Sequence, residues 1–319
     1  MATSDPKLAS ACRVAADLPW LRDMQSLPFI CAVTLNWNRP QDTITCLASL
    51  SEQTYPNLKL VVVDNGSSDD SANQIRAAFP EMTLIANATN QGFARGMNAG
   101  IRYALAAGAE HVFVLNNDTF LAPDALSRLV AQAEEGVGLL APAIYYADAP
   151  QQIWSLGGQI HSGTLETVAT ARGQIDKGQW PAVLQRDFVP GCAMLLSRAA
   201  LQEAGLFDEC FFMYYEDLDL CLRLRRAGYR IVVVTRSKMW HKIALSSGGG
   251  GSPNERYWTA RSSVRYFARH AQWWQWPIII FWRTGSAART TWRLLRQGKN
   301  AALKGYWQGL WHGLGELKQ

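Results

Sequence analysis

The 319-residue sequence contains no CxxC pair, no GxGxxG fingerprint after its first strand signal, no internal repeat and no apolar run long enough to span a bilayer. Each absence excludes a class of protein. Six scattered cysteines (Cys12, Cys31, Cys46, Cys192, Cys210, Cys221), most of them inside apolar stretches, read as buried thiols and not as a disulfide frame or zinc knuckle. The missing glycine fingerprint argues against a dinucleotide-binding fold. The longest apolar run near the end, Trp276 to Trp282, falls far short of the roughly 20 residues a spanning helix needs. Residues 1–27 carry Asp5, Asp17 and Asp23 and no continuous apolar stretch, so no signal peptide is expected and the protein is expected in the cytosol.

What is present is a globular body with a distinct tail. Hydrophobic residues make up 48% and charged residues 18%, enough for a substantial core. The net charge of +5 is unevenly spread: from Asn254 onward there are 11 basic and 2 acidic residues, against 20 basic and 24 acidic before it. A slightly acidic body excludes a uniformly basic nucleic-acid coat, and no nucleic-acid partner is expected.

Strand and helix signals alternate. Phe29–Leu35, Leu58–Val63, Met82–Ala86 and His111–Leu115 read as strands; Asp42–Ser51, a segment ending near Phe79, Ala94–Ala107 and Pro123–Glu134 read as helices. Such alternation indicates a parallel sheet with flanking helices. From Leu139 to Arg186 the pattern loosens into short strands and loops. Order returns at Val189–Leu196, with helices at Arg198–Ala204 and Glu216–Ala227 and a strand at Arg230–Val234. The resulting division is an irregular lead (1–27), a catalytic unit (28–245), a Gly/Ser-rich loop (246–253) and a basic, Trp-rich helical region (254–319).

Ligands of open α/β sheets bind beyond the carboxyl ends of the strands. Three such ends here are polar: Asn36-Trp37-Asn38-Arg39, Asp64-Asn65-Gly66-Ser67 and Asn116-Asn117-Asp118. Any one could simply be a turn; three on one edge suggest a site. Asn90 to Asn98 places two glycines at a helix start, which suits either a tight turn or a phosphate on free N–H groups. Asp118 could bind a hard divalent ion, and His241, past another strand and a short polar loop, is either a structural histidine or a second ligand. Glu216, Asp217 and Asp219 open a helix after an aromatic run. One acid is explained by the helix dipole, and three leave room for a general base.

Together, Val33–Arg39, Val63–Asp69, Asn90–Asn98, Leu115–Asp118, Pro190–Ala193 and Tyr215–Arg223 resemble the family 2 glycosyltransferases of GT-A fold, in particular the rhamnosyltransferase-like branch, over about residues 29–245. The resemblance implies an inverting enzyme that moves a sugar from a nucleotide-diphosphate donor to an acceptor hydroxyl in cell-surface polysaccharide or glycolipid assembly. The branch points first to rhamnose on dTDP and next to UDP-sugars. It also implies Mg²⁺ or Mn²⁺ held by Asp118 and His241, with Asp217 as catalytic base. Asn36, Asn38, Asp64, Gly92, Phe93, Asn98, Asn116 and Asn117 would contact the donor. Trp154, Gly191, Cys192 and Glu216 would border the sugar or acceptor. One departure from the family pattern is Asn116, which stands where the DxD motif has its first aspartate. The competing readings are a nucleotide-sugar binding protein without turnover and a sugar nucleotidylyltransferase. The second would want a Gly-rich, Lys/Arg-bearing loop where Asn36–Pro40 stands.

Seven of the 13 tryptophans follow His270, interleaved with Arg and Lys. That pattern suits the inner face of the cell membrane, near a lipid-linked or other saccharide acceptor. It also suits packing on the body or on a second subunit of a homo-oligomer.

Overall fold

The structure is a computed structural model and describes residues 27–242 and 251–317. The expected irregular lead and most of the Gly/Ser-rich loop lie outside the described residues. β1 (Ile30–Asn36), β2 (Leu58–Asp64), β3 (Thr83–Ala86) and β4 (His111–Asn116) pair in parallel in the order β4-β1-β2-β3. From Ile30 to Thr34, β1 is buried without interruption, as a central strand covered on both faces must be. Side-chain alternation divides it between two cores. Cys31 and Val33 join Val61 and Val63 on one face, and Ile30 and Ala32 join Val62 on the other.

α1 (Pro40–Ser51) and α2 (Ser71–Ala78) cover the second face, with Cys46, Leu47, Leu50 and Ile75 buried. Pro40 starts α1 with the backbone angle a first turn requires. α3 (Phe93–Ala106) covers the first face and lies unusually close to it. A Cβ on Gly100 would overlap Val33 Cγ1, and one on Gly96 would come within 2.8 Å of Leu35 Cδ1.

Beyond β4 the sheet becomes mixed. β11 (Ala193–Ser197) runs antiparallel to β4, and β6 (Val137–Tyr146) antiparallel to β11. β12 (Arg230–His241) lies parallel to β6, followed by antiparallel β10 (Val183–Arg186). Short β5 (Thr119–Leu121) and β7 (Ile153–Ser155) add to β12 and β6, so six of the ten strands point the same way. β8 (Gly158–Ile160) and β9 (Thr167–Ala169) form a separate pair. The connecting helices are α4 (Ala125–Val130), α5 (Arg198–Ala204) and α6 (Glu216–Arg226).

Two strands differ from the sequence reading, for one shared reason. β6 is buried along nearly its whole length, so it shows no alternation, and Pro142 argues against a central strand. The fold accommodates Pro142 opposite a bulge: Val234 pairs with Pro142 and Lys238 with Ala143, so Thr235–Ser237 have no partners on β6. The polar Thr235-Arg236-Ser237 hides the continuation of β12. His241 is therefore the last residue of a strand, not a residue after a loop.

The C-terminal segment forms α7 (Pro253–His270), a 3₁₀ turn (Trp273–Gln275), α8 (Trp276–Arg296) and α9 (Asn300–Glu316). α9 packs backbone to backbone on α7. Gly305, Gly309 and Gly313 recur once per turn, and a Cβ at each would meet the carbonyl oxygens of Pro253, Tyr257 and Arg261 respectively. α7 in turn grips the body. Ser262 Oγ donates to Met213 O at 2.8 Å, Trp258 stacks on Phe212 at 4.2 Å, and His270 Nε2 lies 2.8 Å from Asp219. No described helix is long and apolar enough to cross a membrane.

Gly100→Ala should overpack the contact between α3 and the sheet and cost about 1–3 kcal/mol. Gly285→Ala, in open space on α8, should instead gain about 0.5–1 kcal/mol. Chemical denaturation of both variants checks this, and equal effects would contradict the close approach of α3.

Candidate active site

The exits of β1 and β2 are tied to each other. Asn36 is fully buried. Its Nδ2 donates to Asp64 Oδ1 at 2.7 Å and to Ser67 Oγ at 3.1 Å, while its Oδ1 accepts from Thr43 Oγ1 at 2.8 Å. Asp64 also accepts from Ser67 Oγ at 2.6 Å. Asn38 adopts a left-handed conformation, φ 53°; its N–H donates to Ser67 Oγ and its Oδ1 accepts from Ser68 N–H. Asn117 joins from just beyond β4, with Nδ2 donating to Thr43 Oγ1 at 2.9 Å.

Asn65 links this cluster to the start of α3. Its Nδ2 donates to Asn90 Oδ1 and Gly92 O, and its Oδ1 accepts from Asn87 Nδ2 and Gln91 N–H. Asn65 stands in the polar Asp64–Ser67 segment, where its residue type alone signals only a turn. Of the two roles open to this glycine-rich start, the tight turn is the one built here: the N–H groups of residues 91–93 are all hydrogen-bonded within the protein. Gln91 donates to Asn65, Gly92 to Asn90 Oδ1 at 2.9 Å, and Phe93 to Phe212 O at 2.7 Å. Gly92 has φ 81°, and a Cβ there would meet Phe212 O at 2.5 Å. Asn98 is turned to the same task. Its amide bonds the backbone of Phe207 in both directions and Glu209 Oε1, fixing the 207–212 loop against α3.

The second half of the site is assembled by β11. Asn116 N–H donates to Cys192 O at 3.0 Å, which brings the Pro190–Cys192 turn to the exit of β4. On one side of this turn Gly191 N–H donates to Asp217 Oδ2 at 2.9 Å. On the other, the buried pair Asp118 and His241 lies with Oδ1 and Nε2 3.1 Å apart. The ring of Trp154 meets His241 edge-on at 5.1 Å, and the Arg172 guanidinium lies 5.8 Å from the Trp154 ring. Lys242, next to His241, donates to Asp42 at 2.8 Å, and Asp42 also pairs with Arg39. The structure thus brings Asn116, Asp118, Trp154, Gly191, Cys192, Asp217 and His241 around one turn.

Burial opposes a charged imidazole at His241, yet the Cys192 sulfur and the hydrogen bond to Asp118 outweigh it and push its pKa up to about 10. The 3.1 Å separation of Asp118 and His241 is close to the spacing of about 3 Å between adjacent ligands of an octahedral ion bound at 2.0–2.2 Å. Cys192 lies beside His241, but among the described residues no three His, Cys, Asp or Glu side chains are grouped so as to hold a metal ion. Once the imidazole gives up its proton, a carboxylate and a ring nitrogen at this spacing suit a divalent ion whose remaining positions are filled by water and phosphate oxygens. His241 Nδ1 and Trp154 Nε1 are among the buried side-chain polar atoms that find no hydrogen-bond partner in the described residues.

The three acids of the first turn of α6 have three different environments. Asp219 is inaccessible and held by Arg223, Arg269 and His270. Glu216 is buried, with Oε2 unpartnered; burial first, then the neighbouring Asp217, pushes its pKa well up. Asp217 is half-buried, and burial raises its pKa against the opposing N–H bonds of Gly191 and Leu218. Tyr214 and Tyr215, immediately before, both take left-handed backbone angles, φ 66° and 69°, a strain of order 1–3 kcal/mol per residue that sets where the acids point.

Residues 31–204 match the profile of glycosyl transferase family 2. The chain belongs to that family. This glycosyltransferase is 27% identical to the N-acetylglucosaminyl-diphospho-decaprenol L-rhamnosyltransferase of Mycobacterium tuberculosis, over 76% of this chain and 86% of the relative. It is 23% identical to the dTDP-rhamnosyl transferase RfbF of Shigella flexneri, over 68% and 70%. Its fold is similar to that of the mannosyltransferase PcManGT from Pyrobaculum calidifontis, solved with GDP-Man and Mn²⁺ (TM-score 0.57, 18% identity, 97% of this chain and 83% of the other). It is also similar to GalNAc-T7, solved with UDP, GalNAc and Mn²⁺ (TM-score 0.59, 16% identity), where the match covers 76% of this glycosyltransferase but only 48% of that chain.

Glu216 binds a proton in the folded enzyme that the unfolded chain releases above about 4.5, so its contribution lowers stability as pH rises from there toward its folded pKa. Glu216→Gln removes this penalty. Its stability relative to the parent should be higher at about pH 7 than at about pH 4 in urea unfolding; a difference independent of pH would contradict the buried, proton-bearing state.

Proposed function

We propose that this glycosyltransferase moves a sugar, with rhamnose the first candidate, from a nucleotide-diphosphate donor to a hydroxyl of a saccharide or lipid-linked acceptor, with inversion at the anomeric carbon, in polysaccharide or glycolipid assembly. The observation that carries this reading is the accessibility of one carboxylate. Asp219 is locked in ion pairs and Glu216 is buried, which leaves Asp217 free to meet an acceptor beside Gly191. The relatives named for rhamnosyl transfer support the choice of sugar.

In this mechanism the Asn36–Asp64–Ser67 cluster receives the nucleoside, and Asn65, Asn98 and Gly92 hold the loops that border it. Asp118 and His241 would hold Mg²⁺ or Mn²⁺, which when bound offsets charge on the departing diphosphate. Asp217 takes the proton of the acceptor hydroxyl. The acceptor oxygen forms its bond to the anomeric carbon as the bond to the diphosphate breaks, and the diphosphate leaves with the electron pair. One displacement inverts the configuration. Asn116 contributes through its backbone bond to Cys192. The aspartate usual at its position would add a second negative charge, so metal affinity here should be modest. The catalytic unit ends near residue 245, and the helices from Asn254 are an appended region.

Asp217→Asn should lower turnover by about 10²–10⁴-fold while donor affinity holds. Unfolding is measured in parallel, because the new amide faces the N–H groups of Gly191 and Leu218. Turnover close to the parent's removes Asp217 from the role. Asp118→Ala should abolish the Mn²⁺-dependent part of donor binding in calorimetry. A thermal-shift screen of nucleotide sugars with and without Mn²⁺ should give its largest rise with a dTDP-sugar; a larger rise with UDP- or GDP-sugars would redirect the assignment of the donor.

A further inference from the structure

We infer that the outer faces of α8 and α9 form a docking surface for an anionic lipid bilayer, a role beyond the transfer reaction itself. α8 has 21 residues, of which only Ile279 and Leu294 are buried. Phe281 is 76% exposed and Trp292 60%; Trp273, just before the helix, is 85% exposed, and Trp311 on α9 is 75% exposed. Single exposed apolar residues are ordinary on a protein surface, whereas an aromatic array spread over two adjacent helices marks an interaction face.

The same face is cationic. At about 100° per residue, Arg289, Arg293 and Arg296 fall in one arc of about 60° that includes Trp282, with Trp292 beside it; the arc flanks the buried side of Ile279 and Leu294. All three arginines are exposed. Between Ala271 and Gly315 there is no Asp or Glu, and Glu316 is engaged by Arg261 and Arg265. The two halves of α8 differ. Trp276–Trp282 carries no charge, and the half from Arg283 onward carries only cations.

Charge decides between the two occupants that suit an apolar face. A two-fold contact with a second copy would set this patch against itself and bury its arginines with no carboxylate on it to neutralise them. An anionic bilayer supplies the missing negative charge, and tryptophan with arginine settles at the headgroup level. The uncharged first half of α8 would then enter the acyl boundary while the helix lies in the plane of the interface, consistent with its being too polar to span.

The full-length protein is mixed with phosphatidylcholine vesicles with and without phosphatidylglycerol and sedimented, while its self-association is followed by analytical ultracentrifugation. Binding should need the anionic lipid and weaken with salt. The triple variant Arg289→Gln, Arg293→Gln, Arg296→Gln should bind about 100-fold more weakly, from about 1 kcal/mol per basic residue at the surface. Phe281→Ser with Trp282→Ser should weaken binding at every salt concentration. Donor binding and melting temperature unchanged in both variants would separate loss of docking from loss of fold or of catalysis. Equal binding by parent and triple variant, or parental binding indifferent to salt and to anionic lipid, overturns the proposal. So does a dimer that fails to bind vesicles and is tightened by the arginine substitutions.

Discussion

The pairing of β11 against β4 is the contact on which the site depends. Parallel strands alone would deliver the polar loops Asn36–Arg39, Asp64–Ser67 and Asn116–Asp118 to one edge of the sheet. They would not bring a carboxylate from a helix 100 residues downstream to that edge. The reversed strand does so because it begins where β4 ends. The hydrogen bond from Asn116 N–H to Cys192 O fixes the Pro190–Cys192 turn beside the Asp118–His241 pair, and the amide of Gly191 then captures Asp217. The turn has little room for anything larger: a Cβ on Gly191 would lie 3.2 Å from that of Asp217.

Environment, not residue type, divides the labour among the acids of α6. Three carboxylates within four positions would be redundant in water. Here one is neutralised by two arginines and a histidine, one is buried beside a like charge that drives its pKa well up, and one is only half-buried. The segment around the left-handed Tyr214 and Tyr215 that precede them is contacted by α7. Tyr266 of α7 contacts the Tyr215 ring at 5.1 Å, and Ser262 holds the carbonyl of Met213.

Much of this was legible in the residues. The apolar runs of β1, β2 and β4 and the start of α6 at Glu216 stand within a residue of where the sequence puts them, because continuous β-branched runs and acidic first turns are local signals. The family and the sheet architecture were readable from the motifs together. β6 was not readable, since a strand buried on both faces and interrupted by Pro142 has no period to detect, and the bulge that accommodates the proline lies about 90 residues away. Nor could sequence distinguish side chains that touch a ligand from those that hold loops. Asn98 reads as a polar residue near a glycine-rich turn, and only the fold reveals that its amide is occupied by Phe207 and Glu209. Asn65 presents the opposite case, a hub that looks like an ordinary turn residue.

The glycine ladder of α9 has a mechanical corollary. With Gly305, Gly309 and Gly313 seated directly on the carbonyls of α7, no compressible side-chain layer separates the two helices, so they turn as one stiff strut. The far side of that strut is bolted to the segment from Phe212 to Asp219 by an aromatic stack, a hydroxyl and a buried histidine. A torque applied to the C-terminal hairpin would reach the backbone before the acidic turn, making the posture of the last helices a lever on Asp217, the proposed base.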